Sequence, residues 1–394
     1  MIIPAESITL QELDKRLRSV RHHLHQNPEL AFQEHETADY ISTILRTLGF
    51  SVTTGIVGTG IVATMRCGKG KGSIGLRADM DALPIYEETG LSYASRNDGK
   101  MHACGHDGHT SMLLGAAYML SRNRNFSGTV NLIFQPAEER GFDSGAKAMV
   151  EAGVFEQFPC DRVFAMHNHP GLAQGHFMSR PGAYMAAGDR VFITIKGSGG
   201  HAARPHQARD PLVAAAATVL ALQTVVARNI DPQECAVVSV GKLQSGAALN
   251  VIPDSAEIGI SVRSFDKAVR ELLKKRIIDI VESTARAYDT EAIIDYREGY
   301  PVLINDEAQT GVVLDIAAEL VGENRVTRHA ERQVGSEDFG YMLQRCPGAL
   351  IRIGNGPAEA NARLHNPKYD FNDDNLLLGA RLWESLVNHC LPAN

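Results

Sequence analysis

Between residues 9 and 25 apolar side chains recur at helical intervals among charged ones, Thr9 and Glu12 have the spacing of a capping box, and Pro28 follows, so the pattern predicts a first helix ending near His25. A second amphipathic stretch, from Thr37 to Leu48, stops at Gly49. The chain then changes period. Short apolar runs at 60–65 (GIVATM), 73–79 (SIGLRAD), 129–135 (TVNLIFQ) and 162–167 (RVFAMH) read as strands, with helical stretches at about 108–121 and 144–152 between them. Strands that are apolar along their whole length and alternate with helices predict a largely parallel sheet covered on both faces.

From about residue 188 the order differs: strand (VFITIK), helix (about 210–228), two strands (CAVVSVGKL and AEIGISVRS), helix (about 266–288), strand (EAIIDYRE), with turn glycines at 197, 199, 200, 241 and 246. That is the βαββαβ pattern of a ferredoxin-like unit. After Pro301 the chain returns to helix, strand and helix, and LIRIG at 350–354 suits a further strand of the first sheet. The predicted architecture is α/β: a split α/β domain with a mixed, largely parallel sheet (1–187 and 300–394) and an inserted ferredoxin-like α+β domain (188–299).

Length and composition agree with two ordinary globular domains, since 394 residues at 44% hydrophobic can bury substantial cores. A formal charge of −7, 6% aromatics and no Lys/Arg stripe argue against a nucleic-acid or membrane surface and leave a small molecule as the expected partner. No basic segment followed by an apolar run opens the chain, and no stretch approaches the roughly 18 uncharged apolar residues of a membrane span, so the expected location is the cytoplasm. Six scattered cysteines without CxxC spacing predict neither a disulfide framework nor a zinc ribbon.

Chemistry concentrates at the predicted strand ends. MHACGHDGHT (101–110) holds three histidines, a cysteine and an aspartate; His102, Cys104 and His106 alternate, so an extended segment would present them on one face, with His109 one helical turn beyond His106. Thiolate and imidazole together are donors for zinc and its neighbours. LRADMDALP places Asp79 and Asp81 where open α/β sheets form their crevices, to bind metal or to orient ligating histidines. In FQPAEER, adjacent Glu138 and Glu139 would point apart if extended, one for a metal and one for a water, the division a hydrolytic metal site requires. AMHNHPG adds His167 and His169, and RLHNP adds His365.

Together these motifs resemble the M20 metallopeptidase family, in its amidohydrolase branch of hippurate hydrolases, N-acyl-amino-acid deacylases and auxin-conjugate hydrolases. The resemblance runs over nearly the whole chain: RHHLHQNPELAFQE, LRADMDALPI, HACGHDGH, FQPAEE, HNHP, GSGGHAARPH, LNVIPD, GSEDF and LHNP, with HACGHDGH beside FQPAEE the most specific. It implies two divalent ions (zinc, manganese, cobalt or nickel) held by Cys104, His106, Glu139, His167 and His365, with the cysteine bridging them in a place that an aspartate takes in most of the wider family. It further implies Glu138 as general base and acid, Asp81 as the carboxylate that steadies a ligand, and His102 and His109 as supporting residues. The inserted domain would be a lid and dimerisation domain of a homodimer or higher oligomer. Its His201 would polarise the scissile carbonyl and its Asn250 would bind substrate. The expected activity is hydrolysis of an N-acyl amino acid. A dipeptidase or aminopeptidase of the same family, or a metal-dependent binding protein without turnover, are the alternatives. The roles of His169 and His206 stay open.

Overall fold

The computed structural model describes residues 3–4, 6–357 and 363–393. Two compact units divide the chain: one of residues 1–182, 304–331 and 338–394, the other of 183–303 and 332–337.

In the first unit, helix α1 (Leu10–Gln26) begins at Thr9, whose hydroxyl accepts the Glu12 amide (3.2 Å), and it buries Leu13, Leu17, Val20 and Leu24. Helix α2 (His35–Thr47) buries Ile41, Ile44 and Leu45. Strands β1 (Ser51–Ile56), β2 (Gly60–Cys67), β3 (Ser73–Asp79), β4 (Gly128–Gln135) and β5 (Arg162–Pro170) join Gly348–Gly356, Phe177–Met178 and Val326–Thr327 in one eight-stranded sheet, ordered β1, β2, β4, β3, β5, then 348–356, 177–178 and 326–327. β4, β3, β5 and 348–356 run parallel to one another, while β1 and β2 continue the sheet antiparallel at one edge and 177–178 lies antiparallel to 348–356 at the other. The mixed sheet with a parallel centre is the expected one. β1 is an addition, a short, mostly exposed strand with only Val52 and Ile56 half-buried, which hydropathy alone does not mark.

Helix α3 (His106–Asn123) is buried through Ser121, on all sides, as a helix sealed between a sheet and other helices must be. Gly115 permits that closeness: a Cβ there would lie 2.7 Å from the Ala380 Cβ and 2.8 Å from a Leu17 methyl. Each large apolar side chain so buried contributes roughly 1.5–3 kcal/mol before entropy is charged against it. The parallel strands all end on the same side, so the segments that follow β3, β4 and β5 converge there.

The second unit is built on an antiparallel sheet of strands 236–245, 255–264, 187–196 and 291–297, in that spatial order. Helices Pro211–Leu222 and Lys267–Ala287 share one core with it, through Ala214, Leu222, Leu273, Ile277 and Val281 against Val191, Ile193, Ile258 and Ile260. Among the described residues no helix is long and apolar enough to cross a membrane.

Candidate metal centre

Gly105 takes φ +87, a left-handed conformation that turns the chain between Cys104 and the first residue of α3, His106. No side chain fits there, because a Cβ would meet the Asn168 amide at 2.4 Å and the Tyr369 hydroxyl at 2.5 Å. The residues that alternation would group do not all stay together. Cys104 and His106 face one another across the turn, whereas His102 points elsewhere: its ring centroid lies 6.4 Å from that of His25, and neither ring nitrogen has a hydrogen-bond partner among the described residues. Burial pushes the His102 imidazole down to about 4, so it stays neutral.

Two donor triads share the cysteine. Cys104, His106 and His167 form one and Cys104, Glu139 and His365 the other, the donor atoms within each lying within 4.8 Å of one another. His167 leaves β5 with Nδ1 donating to the Asn168 carbonyl (2.6 Å), which turns Nε2 toward the Cys104 sulfur at 3.5 Å. His106 Nδ1 faces only acceptors, the Asp81 carbonyl (2.9 Å) and carboxylate (3.2 Å), so it carries a proton on that side; its Nε2, fully buried, makes no hydrogen bond among the described residues and stands 3.8 Å from Asp79 and 4.0 Å from Glu139. An imidazole fixed by a carboxylate on one nitrogen and orphaned on the other is the form in which histidine binds metal. His365 sits at φ +64 with its amide donating to the Ala103 carbonyl (2.8 Å), and its Nε2 lies 3.1 Å from Glu139 Oε1. Strained backbone held by a neighbouring segment is common where a side chain must be aimed.

Charges at this centre call for a cation. Burial, then Glu139, Glu138 and Asp79, push the Cys104 thiol well above its ordinary range. Burial opposes a charge on His106, but Asp79, Asp81 and Glu139 outweigh it and raise the imidazole to about 10. The opposite holds for His167, which burial and the cationic surroundings keep neutral. Buried acids crowded around a thiol are unfavourable unless positive charge is supplied.

Glu138 and Glu139 open a single turn of 3₁₀ helix, Glu138–Arg140, rather than the extended loop expected, and instead of pointing apart they bring a carboxylate oxygen each to within 4.8 Å of one another. Glu139 joins the second triad. Glu138, also buried, lies with its carboxylate within 4.8 Å of the His106 and Glu139 donors but in neither cysteine triad.

Other motif residues form the frame. His109 donates from Nδ1 to Asp79 (2.6 Å) and accepts the Asn168 amide at Nε2 (2.9 Å). Asn168 in turn donates to the Cys104 carbonyl (2.6 Å) and accepts from the Tyr369 hydroxyl (2.9 Å), clamping the cysteine turn to β5. Arg77 bridges Asp79 (2.7 Å) and Asp338 (3.0 Å) beneath them. Sequence reasoning gave Asn168 no task, although its place between two histidines was a signal; Arg77 and Asp338 offered none beyond their motifs. His169 Nδ1 lies 3.0 Å from the Arg352 guanidinium, and burial beside that cation holds its imidazole down to about 4. In the second unit, His201 and Asn250 are exposed neighbours: Gly200–His201 pairs with Val251–Ile252, and the Ala202 amide donates to the Asn250 carbonyl at 3.0 Å. His206 is exposed in a turn at 205–207.

The profile of peptidase family M20/M25/M40 matches residues 75–389. The chain is 42% identical to hippurate hydrolase of Campylobacter jejuni over 379 residues, 95% of this chain and 97% of that protein. It is 40% identical to N-acetyl-L-cysteine deacetylase of Bacillus subtilis over 98% of this chain and 91% of that one. The crystal structure of the Bacillus subtilis YXEP protein, described as a dinuclear metal binding peptidase, matches with a TM-score of 0.83 at 34% identity, covering 98% of this chain and 100% of that chain. By sequence and by fold, the chain belongs to peptidase family M20/M25/M40.

Proposed function

We propose that this protein is a metal-dependent amidohydrolase that splits N-acyl amino acids into a carboxylic acid and a free amino acid. The observation that carries the reading is the place of Glu138, buried beside the donors yet outside both triads that share Cys104. A binding site needs donors, whereas hydrolysis also needs a base that no cation has consumed. The names of the relatives support the substrate class, since hippurate and N-acetylcysteine are both N-acyl amino acids.

In this reading Cys104, His106 and His167 hold one divalent ion and Cys104, Glu139 and His365 a second, with Asp81 fixing His106. Zinc, manganese, cobalt and nickel all suit such donors. Bound there, the ions supply Lewis acidity, polarising the amide carbonyl and lowering the pKa of water from about 15.7 toward 7. Glu138 takes the proton of the attacking water on its carboxylate and delivers it to the amide nitrogen as the C–N bond breaks. His201 is assigned to the oxygen on which negative charge develops and Asn250 to the polar groups of the substrate. The second unit serves as lid and dimerisation domain of a cytoplasmic homodimer.

After chelation and readdition of each metal, N-benzoyl and N-acetyl amino acids are expected to be cleaved with kcat/KM at least about 100-fold above that for the matching free-amine dipeptides, because a pocket shaped for an acyl group leaves an ammonium unpaired. Preference for the free dipeptides would make the protein a dipeptidase instead, and bound metal without any cleavage would make it a binding protein.

Loading the metal-free protein should also release at least about two protons per chain at pH 7, since Cys104 and His106 both hold theirs until a cation displaces them and His365, raised by its hydrogen bond to Glu139, adds to the count. Titration calorimetry in buffers of different ionisation enthalpy measures this number. Release of none would remove the thiol and His106 from the ligand set.

A further inference from the structure

Glu34 lies at the start of α2, where an acidic side chain commonly caps a helix. That task is performed by Glu29, whose carboxylate accepts the amides of Glu36 (3.2 Å) and Thr37 (2.8 Å). Glu34 turns inward and is fully buried. Its Oε1 accepts two backbone amides, Phe32 (3.0 Å) and Ala137 (2.9 Å), and its Oε2 accepts the Thr59 hydroxyl (2.6 Å). Phe32 and Ala137 both sit in the left-handed region, at φ 62 and 54, where residues other than glycine rarely remain unless something holds them.

Ala137 immediately precedes Glu138. On the other side of Glu138, the Glu139 amide donates to the Asp81 carboxylate at 3.0 Å. The amides of the two residues on either side of Glu138, Ala137 and Glu139, are thus tied to two buried carboxylates from distant parts of the chain. Behind the loop, a Cβ at Gly145 would fall 1.7 Å from the Pro136 carbonyl oxygen, and the Arg140 guanidinium stands 5.8 Å over the Phe32 ring, joining the same two segments from outside.

We propose that Glu34 is a positioning residue: by holding the Ala137 amide it keeps the turn in its left-handed start and so aims the Glu138 carboxylate, without touching metal or substrate. This rests on the reading of Glu138 as the base. What the loop needs from position 34 is a pair of acceptor and donor sites of the right shape rather than a charge. A glutamine meets that need, its oxygen accepting both amides while its nitrogen donates to a rotated Thr59 hydroxyl. Burial, only partly offset by these donors, already pushes the Glu34 carboxyl up to about 7, which agrees with a site indifferent to charge.

The test compares Glu34→Ala, Glu34→Gln and Thr59→Val with the wild-type holoenzyme for kcat, KM and metal content. Misaiming a catalytic group by about 1 Å costs on the order of 100-fold. Glu34→Ala is expected to lower kcat about 100-fold with KM and metal content within about twofold of wild type, and Glu34→Gln to restore kcat to within about fivefold. Thr59→Val, which keeps the core shape and loosens only Oε2, is expected to lower kcat about threefold and serves if the alanine variant does not fold. Unchanged kcat in Glu34→Ala, or in Thr59→Val where the alanine variant does not fold, overturns the proposal. So does metal loss in proportion to kcat, or a glutamine variant as slow as alanine. Glu138→Gln is run alongside: if that enzyme stays active the base reading itself fails, whereas a dead Glu138→Gln beside a normal Glu34→Ala removes only the role of Glu34.

Discussion

Glu138→Gln is expected to abolish turnover, lowering kcat by about 10³- to 10⁴-fold, while KM and bound metal stay within about twofold of wild type. Glutamine keeps the volume of the side chain and an oxygen to which a water can donate, but it cannot take the proton. A general base alone is worth about 10²- to 10⁴-fold, and here the same carboxylate is asked to act twice, removing a proton from water and returning it to the departing nitrogen. The upper part of that range is therefore the expected one, equivalent to about 4–5.5 kcal/mol of transition-state stabilisation. Metal should persist because Glu138 belongs to neither triad that shares Cys104. Steady-state kinetics on the purified variant, with metal analysis of the same sample, decides the matter. A variant retaining a tenth of wild-type kcat would mean that another group moves the proton.

Much of this centre was legible because parallel strands deliver their ends to one side of a sheet. Asp79 at the end of β3 and Asp81 just after it, Glu138 and Glu139 after β4 and His167 near the end of β5 lie far apart in sequence, yet the βα order of the apolar runs already required them to share a crevice. Legibility stopped where a single dihedral decides direction. Alternation grouped His102 with Cys104 and His106, but the chain turns at Gly105 (φ +87) between Cys104 and His106, whose donors still meet, while His102 is buried outside every donor group among the described residues. The extended loop expected for Glu138 and Glu139 is a 3₁₀ turn begun by Ala137 in the left-handed region. Alanine carries no sequence signal for that conformation. It is imposed from 103 residues away by Glu34, a tertiary contact that no local pattern encodes. The framing residues follow the same logic: Arg77 and Asp338 lie 261 positions apart and Asn168 and Tyr369 lie 201 apart, so their pairing exists only in the folded chain.

Cys104→Ala is expected to lose at least one metal ion and to fall below about 1% of wild-type activity. Cys104 is the corner common to both triads, so alanine takes a donor from each and leaves His106 with His167, and Glu139 with His365, as separate pairs. Removing groups that merely orient a ligand already costs about 10- to 100-fold in metal affinity, and removing a shared ligand must cost more. The stability of the protein separates this loss from misfolding. In the metal-free state the thiol is buried among carboxylates that oppose its ionisation, so replacing it should leave the melting temperature of the metal-free protein nearly unchanged. Wild type gains RT ln(1 + [metal]/Kd) on loading, about 2.7 kcal/mol at 100-fold excess over Kd, and the variant should lose most of that increment. With cobalt as probe, the thiolate-to-metal absorption of the wild type should vanish. Cys104→Asp offers the converse measurement: a carboxylate can span two cations, so part of both the metal content and the activity should return. A Cys104→Ala protein that holds two ions at wild-type affinity would show that the triads are joined through some other atom, and the shared corner on which this arrangement depends would have to be sought elsewhere.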